Sequence, residues 1–149
     1  MRRTRFDDAP CPIARTTDVM GDWWTPVVMR EVFFGCRRFD EFQTRLGVSR
    51  ATLAARLSRL VEEGFLDRVE YQDNPPRHEY VLTDKGRAFF DVLAAMWRFG
   101  EDWLFSPDNP VPVQLSSRAT GDRIDPVVVD GNTGARIELA DLRVRNRSR

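Results

Sequence analysis

Arginines are concentrated in one part of this 149-residue chain. Six of them, at positions 37, 38, 45, 50, 56 and 59, stand there against two acids, Asp40 and Glu41. The whole chain has a formal net charge of +0, so the average conceals a local surplus able to attract phosphate. A solvated helical face is the competing explanation of such a run, and only pattern separates the two. After Ser49, the residues Leu53, Leu57, Leu60 and Val61 recur at helical spacing. Away from that stripe fall Ala51, Ala55, Ser58 and Arg59, with Thr52 beside them and Arg50 and Arg56 at the flanks. Small side chains let a helix backbone approach base edges, and arginines pair with guanine edges or phosphates. Ser49 and the N–H groups of the first turn suit a phosphate. Arg38 and Arg77 are two further candidates for DNA contact, while an ion pair with Glu62 or Glu63 competes for Arg56.

Other chemistry is sparse. The sequence has no P-loop, no Gly-x-Gly-x-x-Gly, no nucleophile elbow and no paired-histidine motif. Its one histidine, His78, falls in a turn-rich region, and its two cysteines, Cys11 and Cys36, are far apart. These residues predict no metal site, no cofactor, no disulfide scaffold and no enzyme. No apolar run is long enough for a membrane span, and the charged start of the chain lacks the apolar segment of a secretory signal. A cytoplasmic protein without a membrane partner is expected.

The elements that must position the arginines can be read from punctuation and period. Residues 1–10 read as a flexible leader. Cys11-Pro12-Ile13-Ala14 opens a first helix to about Met20, and a second runs from Trp23 to Phe34, with Pro26 in its first turn and Gly35 ending it. Phe39 to Leu46 is a short third helix. Gly47-Val48-Ser49 turns into a fourth, which reaches about Glu63 with Ser49 as its N-cap. Strands then flank the turn cluster Asp73-Asn74-Pro75-Pro76-Arg77. Thr83 caps a long fifth helix to about Leu104, whose apolar residues fall in two stripes. Phe89, Val92, Met96 and Trp103 form one, and Phe90, Trp97 and Leu104 the other, so a second subunit or the C-terminal extension must cover one of them. Short strands are expected at 111–115, 124–129 and 135–139. The fold class is therefore mainly α with small β: a winged helix-turn-helix domain over 11–105, a C-terminal β appendage over 106–145 and a disordered tail over 146–149.

Cys11-Pro12-Ile13-Ala14-Arg15, Gly21-Asp22-Trp23-Trp24-Thr25, Phe34-Gly35-Cys36-Arg37-Arg38-Phe39, Val48-Ser49-Arg50 and Leu82-Thr83-Asp84-Lys85-Gly86 together resemble the HxlR-type regulators of the MarR-like group. The resemblance runs from about Cys11 to Leu104. It implies a homodimer joined through its first and last helices, with Ile13, Phe90, Trp97 and Leu104 as interface candidates. It also implies a double-stranded, pseudo-palindromic operator as partner and control of nearby genes, often by repression. Some members of the family sense oxidants or electrophiles at the cysteine matching Cys11, which precedes a helix here and has Arg15 one turn on. An incidental role for this cysteine competes equally. A Cys11–Cys36 disulfide between subunits is a further alternative. Trp23, Trp24, Phe33 and Phe34, with Phe90 and Trp97, are candidates for a small-molecule effector pocket. Two other readings stay open: a sensor whose DNA role is secondary or lost, and a protein-interaction winged helix.

Overall fold

The computed structural model describes residues 5, 6, 8–143 and 145; the 146–149 tail and most of the start of the leader lie outside that set. The chain divides into two compact units, residues 1–90 and 91–149. In the first, the elements are α1 (Pro12–Met20), α2 (Trp24–Phe33), α3 (Phe39–Leu46), α4 (Arg50–Glu62), β1 (Leu66–Asp73), β2 (Pro76–Leu82) and α5 (Asp84–Ala88). The helix starts follow their caps. Ser49 Oγ accepts from the Thr52 N–H at 3.1 Å, and Thr83 Oγ1 accepts from the Gly86 N–H at 3.0 Å. Asp22, not Trp23, serves α2, its Oδ1 accepting from the N–H groups of Trp24 (2.9 Å) and Thr25 (3.2 Å).

The core of this unit is built where α2, α3 and α4 meet. Val28 and Met29 of α2, Phe42 of α3 and Leu53, Leu57 and Leu60 of α4 are buried, together with Leu66 at the start of β1. Such burial is the dominant favourable term in folding. Tyr80 brings the hairpin to this core: its ring meets Phe42 edge-on at 6.3 Å, and its N–H donates to the Arg37 carbonyl at 2.8 Å. The hairpin is thus anchored to the loop that opens α3. β1 and β2 pair antiparallel from Leu66↔Leu82 to Asp73↔Pro76, with the register slipping between Glu70 and Gln72. Tyr71 is the extra residue of that bulge, which alters the strand's alternation locally.

Two expectations need correction. The single helix from Thr83 to Leu104 is two helices, α5 and α6 (Phe90–Trp103), parted at Phe89. Phe89 is buried edge-on against Phe65 at 5.4 Å, and its N–H is shared between the carbonyls of Lys85 and Gly86, so the backbone tightens there. Gly86 is close to Phe65: a Cβ on it would fall 2.0 Å from the Phe65 carbonyl oxygen, so α5 can approach only because position 86 has no side chain. Secondly, the strands expected between 111 and 139 are not formed. Among the described residues this region has isolated bridges, Ser116↔Arg123 and Val129↔Arg136, and a 3-10 turn at Leu139–Asp141. Pro112 and Pro126 remove ladder donors from two of those runs. The small β component of the fold is the hairpin. Within the described part of the leader, two residues make hydrogen bonds to α1. The Phe6 N–H donates to Asp18 Oδ1 at 3.1 Å, and the Ala9 carbonyl accepts from Arg15 Nε at 2.6 Å.

In the second unit, Arg98 of α6 donates to Asp125 Oδ1 (3.0 Å) and the Pro126 carbonyl (3.1 Å), and Arg123 pairs with Glu101 at 2.8 Å. These contacts lay residues 123–126 along α6. Val127, Val128 and Val129 face Phe99 and Trp103 across a groove of about 470 Å³. Among the described residues α6 contains no buried side chain. The stripe of Phe89, Val92, Met96 and Trp103 therefore does not pack inward as a whole, for Met96 and Trp103 are exposed.

Candidate nucleic-acid interface

α4 turns its faces to different environments. Leu53, Leu57 and Leu60 are fully buried or nearly so. Arg50, Ala51, Ala54, Ala55 and Ser58 form the exposed side. Thr52 is half-buried, and its hydroxyl accepts from Ser49 Oγ at 2.9 Å, which stiffens the first turn. The helix therefore presents a strip of small side chains, with Arg50 at its start, on a rigid support. A strip of that kind fits a major groove about 12 Å wide.

Next to it lies a cleft between the helix-turn-helix and the hairpin, with a volume of about 470 Å³. Arg38, Arg50, Arg68 and Arg77 line it against one acid, Asp40. Arg38 is fixed by Glu79, at 3.2 Å from Nε, and lies over the Tyr71 ring at 4.6 Å; Arg50 lies over the Phe39 ring at 4.8 Å. Aromatic faces hold guanidinium groups in place while leaving their edges free to donate. Arg68 and Tyr71 are absent from the residues singled out by sequence. The alternating charges of β1 gave Arg68 no distinction, and the bulge that brings in Tyr71 depends on pairing with β2.

Two arginines turn away from this surface. The helical period places Arg59 outward, but its Nη2 donates to the Asp18 carbonyl at 2.9 Å, beneath Gly21. Arg56 pairs with Asp22 rather than with Glu62 or Glu63. Both are held at the junction of α1 and α2, so the exposed cationic set near α4 is Arg38, Arg50, Arg68 and Arg77.

α3 brings Phe42 into the core shared with the α4 leucines and has a cap at its own start. Glu41 Oε2 accepts from the N–H groups of Arg37 (2.9 Å) and Arg38 (3.0 Å), and these two bonds hold the Glu41 carboxyl below the usual glutamate range. A group depressed in the folded state contributes stability above its unfolded pKa and loses it as pH falls through the folded value. Glu41→Ala should therefore cost about 1 kcal/mol near neutral pH, as for a lost cap. The difference should shrink toward zero in acid, as urea melts of parent and variant across the carboxylate range would show.

The cysteines are unlike. Cys11 is the exposed N-cap residue of α1. Cys36 is buried at the start of the loop to α3, with Sγ 3.9 Å from Glu31 Oε2. Burial pushes its thiol pKa up, opposed by the charge of Arg45 and reinforced by Glu31. Glu31 is itself buried and pairs with Arg30 and, at 3.5 Å, with Arg45. In the single chain, then, Cys36 is shielded and Cys11 is open. Under native conditions a disulfide reagent should titrate one fast thiol, Cys11, with Cys36 reacting only after denaturation. Two fast thiols would contradict this burial.

The remaining candidates lie at the surface in various degrees. Ile13, Phe90 and Leu104 are exposed, and Trp97 is partly covered with its Nε1 donating to Glu101 at 3.2 Å. Of the aromatic set, Trp23 is 82% exposed and Phe34 is exposed, Trp24 is half-buried, and Phe33 packs edge-on against Phe90 at 5.4 Å. These four do not form an enclosed pocket within the first unit.

A braced helix with a bare small-residue side, followed by a two-stranded wing that sets Arg68 and Arg77 beside it, defines a helix-turn-helix transcription regulator of the winged type. Comparison with known proteins agrees. The family model described as HxlR-like helix-turn-helix matches residues 19–109. An uncharacterised HTH-type transcriptional regulator of Mycobacterium tuberculosis, Rv3095, is 38% identical over 130 residues, 87% of this chain and 82% of its own. The crystal structure of PA1607, assigned as a transcription factor, superposes with a TM-score of 0.86 at 41% identity, covering 97% of this chain and 100% of that one. The redox regulator HypR in its reduced form gives a TM-score of 0.58 at 30% identity, over 62% of this chain and 92% of its own. The chain belongs to the HxlR-like helix-turn-helix family and is a transcription regulator, a class whose partner is DNA. Among the described residues no helix is long and apolar enough to cross a membrane.

Proposed function

We propose that this protein is a cytoplasmic homodimer that binds a pseudo-palindromic operator in double-stranded DNA and represses its own or a neighbouring gene. Ala51, Thr52 and Ala55 face the bases, Arg50 reads a base edge or its phosphate, and Ser49, Arg38 and Arg77 hold the backbone. Arg68 joins them. The carrying observation is the polarity of α4, with Leu53 and Leu57 fully buried beneath exposed Ala51 and Ala55. The domain for this work runs over 11–105, and the appendage over 106–145 is accessory. Dimerisation through α1 and α6 is supported by their uncovered apolar surface: Ile13 is 77%, Trp103 75% and Leu104 69% exposed. Exposed apolar patches of this extent mark interaction surfaces. A footprint on the protein's own upstream region tests the reading. Two protected half-sites about one helical turn apart are expected, and uniform protection of any DNA, or none, would defeat it.

A second reading makes the regulator responsive to an oxidant, an electrophile or a small-molecule effector. It is favoured by the exposure of Cys11 at the N-cap of α1 and by the likeness to the redox regulator HypR. Trp23, Trp24, Phe33 and Phe34 would contribute to an effector site only once a second subunit encloses them. If that response persists in a protein unable to retain DNA, the sensor role is primary. Footprints with and without a hydroperoxide, on the parent and on Cys11→Ser, distinguish these cases.

A further inference from the structure

The leucine stripe of α4 decides which face of the helix is buried and so its coarse rotation, and directional polar contacts can fix that rotation more finely. Directional contacts are supplied by Arg56 and Arg59, three positions apart and so on one side of the helix. Both reach the junction of α1 and α2. Asp22 divides its oxygens: Oδ1 caps α2 at 2.9 Å from the Trp24 nitrogen, while Oδ2 takes Arg56. Arg59 donates to the Asp18 carbonyl at 2.9 Å and lies against Gly21, where a Cβ would fall 2.4 Å from Nη1. Gly21 has φ +73, a conformation that strains other residues, and a side chain there would have to displace the Arg59 guanidinium. Asp18 is buried, and its carboxylate is bound to the leader through the Phe6 N–H at 3.1 Å.

We infer that Arg59 and Arg56 are positioning residues, a polar clamp that sets the rotation of α4 against the α1–α2 junction and so decides which side chains of α4 meet DNA. The inference rests on the reading of α4 as the helix that contacts bases. The clamp joins α1, where Cys11 lies, to the DNA surface through one backbone carbonyl and one carboxylate. Movement of α1 is therefore transmitted to α4.

The test uses the full-length protein, the footprinted duplex and a scrambled duplex of equal length, with affinities followed by anisotropy over a salt series. Arg59→Gln should weaken the footprinted duplex about tenfold, within the usual range for coupled sites, and leave the scrambled duplex and the salt slope unchanged. Arg59→Lys, which still donates, should recover part of the loss. Arg56→Gln should lose discrimination in the same way while the Asp22 cap of α2 is kept. Equal weakening on both duplexes with the slope reduced by about one would make Arg59 a phosphate contact and overturn the clamp. A lowered melting temperature with discrimination intact would reduce it to a stability element and overturn it equally. Hydrogen exchange needs no DNA: Arg59→Gln should speed exchange at the Gly21 and Asp22 amides, and unchanged rates would also defeat the inference. A parent protein that binds no duplex selectively defeats the DNA reading, whereas inert variants of a selective parent defeat only the clamp.

Discussion

Ala51→Glu should abolish selective DNA binding while leaving the fold as stable as the parent. Ala51 is exposed in the first turn of α4, so a longer side chain there displaces nothing in the core. An acid near a helix N-terminus interacts favourably with the backbone dipole, by about 0.3–1 kcal/mol at low salt. Melting should therefore be unchanged or slightly raised. Against DNA the same carboxylate has two consequences. On the proposed reading it fills the space through which a small side chain lets the backbone approach the bases, and it opposes the phosphates proposed to meet Arg50 and Arg38. The combined loss should be about 3 kcal/mol or more, at least a hundredfold in affinity. Anisotropy with the footprinted duplex and a thermal melt measure the two quantities separately. Affinity within twofold of the parent would show that another face contacts DNA.

Features governed by nearby residues were legible in the sequence. Ser49 and Thr83 begin helices because their hydroxyls accept from N–H groups three residues on, and Asn74 and Pro75 separate the strands. The leucines of α4 repeat at helical spacing and are buried accordingly. What remained hidden depends on partners distant in the chain. Periodicity assigns Arg59 to a side of α4 but cannot show that a carbonyl 41 residues earlier draws its guanidinium inward. Arg56 had two plausible acids nearby, yet Asp22 takes it, because the folded chain brings the α1–α2 junction beside α4. The valine-rich stretches after Val111 have the composition of strands without their pairing. β-propensity reports how well a residue fits a half-buried pleated surface, and Val113, Val127 and Val128 are exposed.

Phe42→Ala is the complementary test, since it removes the support and leaves the contact surface chemically intact. Phe42 is 0% exposed, and its ring meets Tyr80 edge-on at 81°, so one side chain joins α3 to the wing within the core that also buries the leucines of α4. Truncation of a buried Phe typically costs about 3–5 kcal/mol, the lost transfer energy plus the cavity left behind. Domains of this size have only about 5–15 kcal/mol in all, so the urea midpoint should fall steeply. The slope of the transition should stay unchanged if the native and unfolded states remain comparably compact. The two variants then separate the elements of the mechanism: Ala51→Glu gives a folded protein that does not select DNA, and Phe42→Ala a destabilised one whose folded fraction still carries the reading surface. A cost under about 1 kcal/mol for Phe42→Ala, far below the usual range, would mean that the bracing of α4 lies elsewhere. The polar clamp at Asp18 and Asp22 would then carry the orientation of the helix without help from the core.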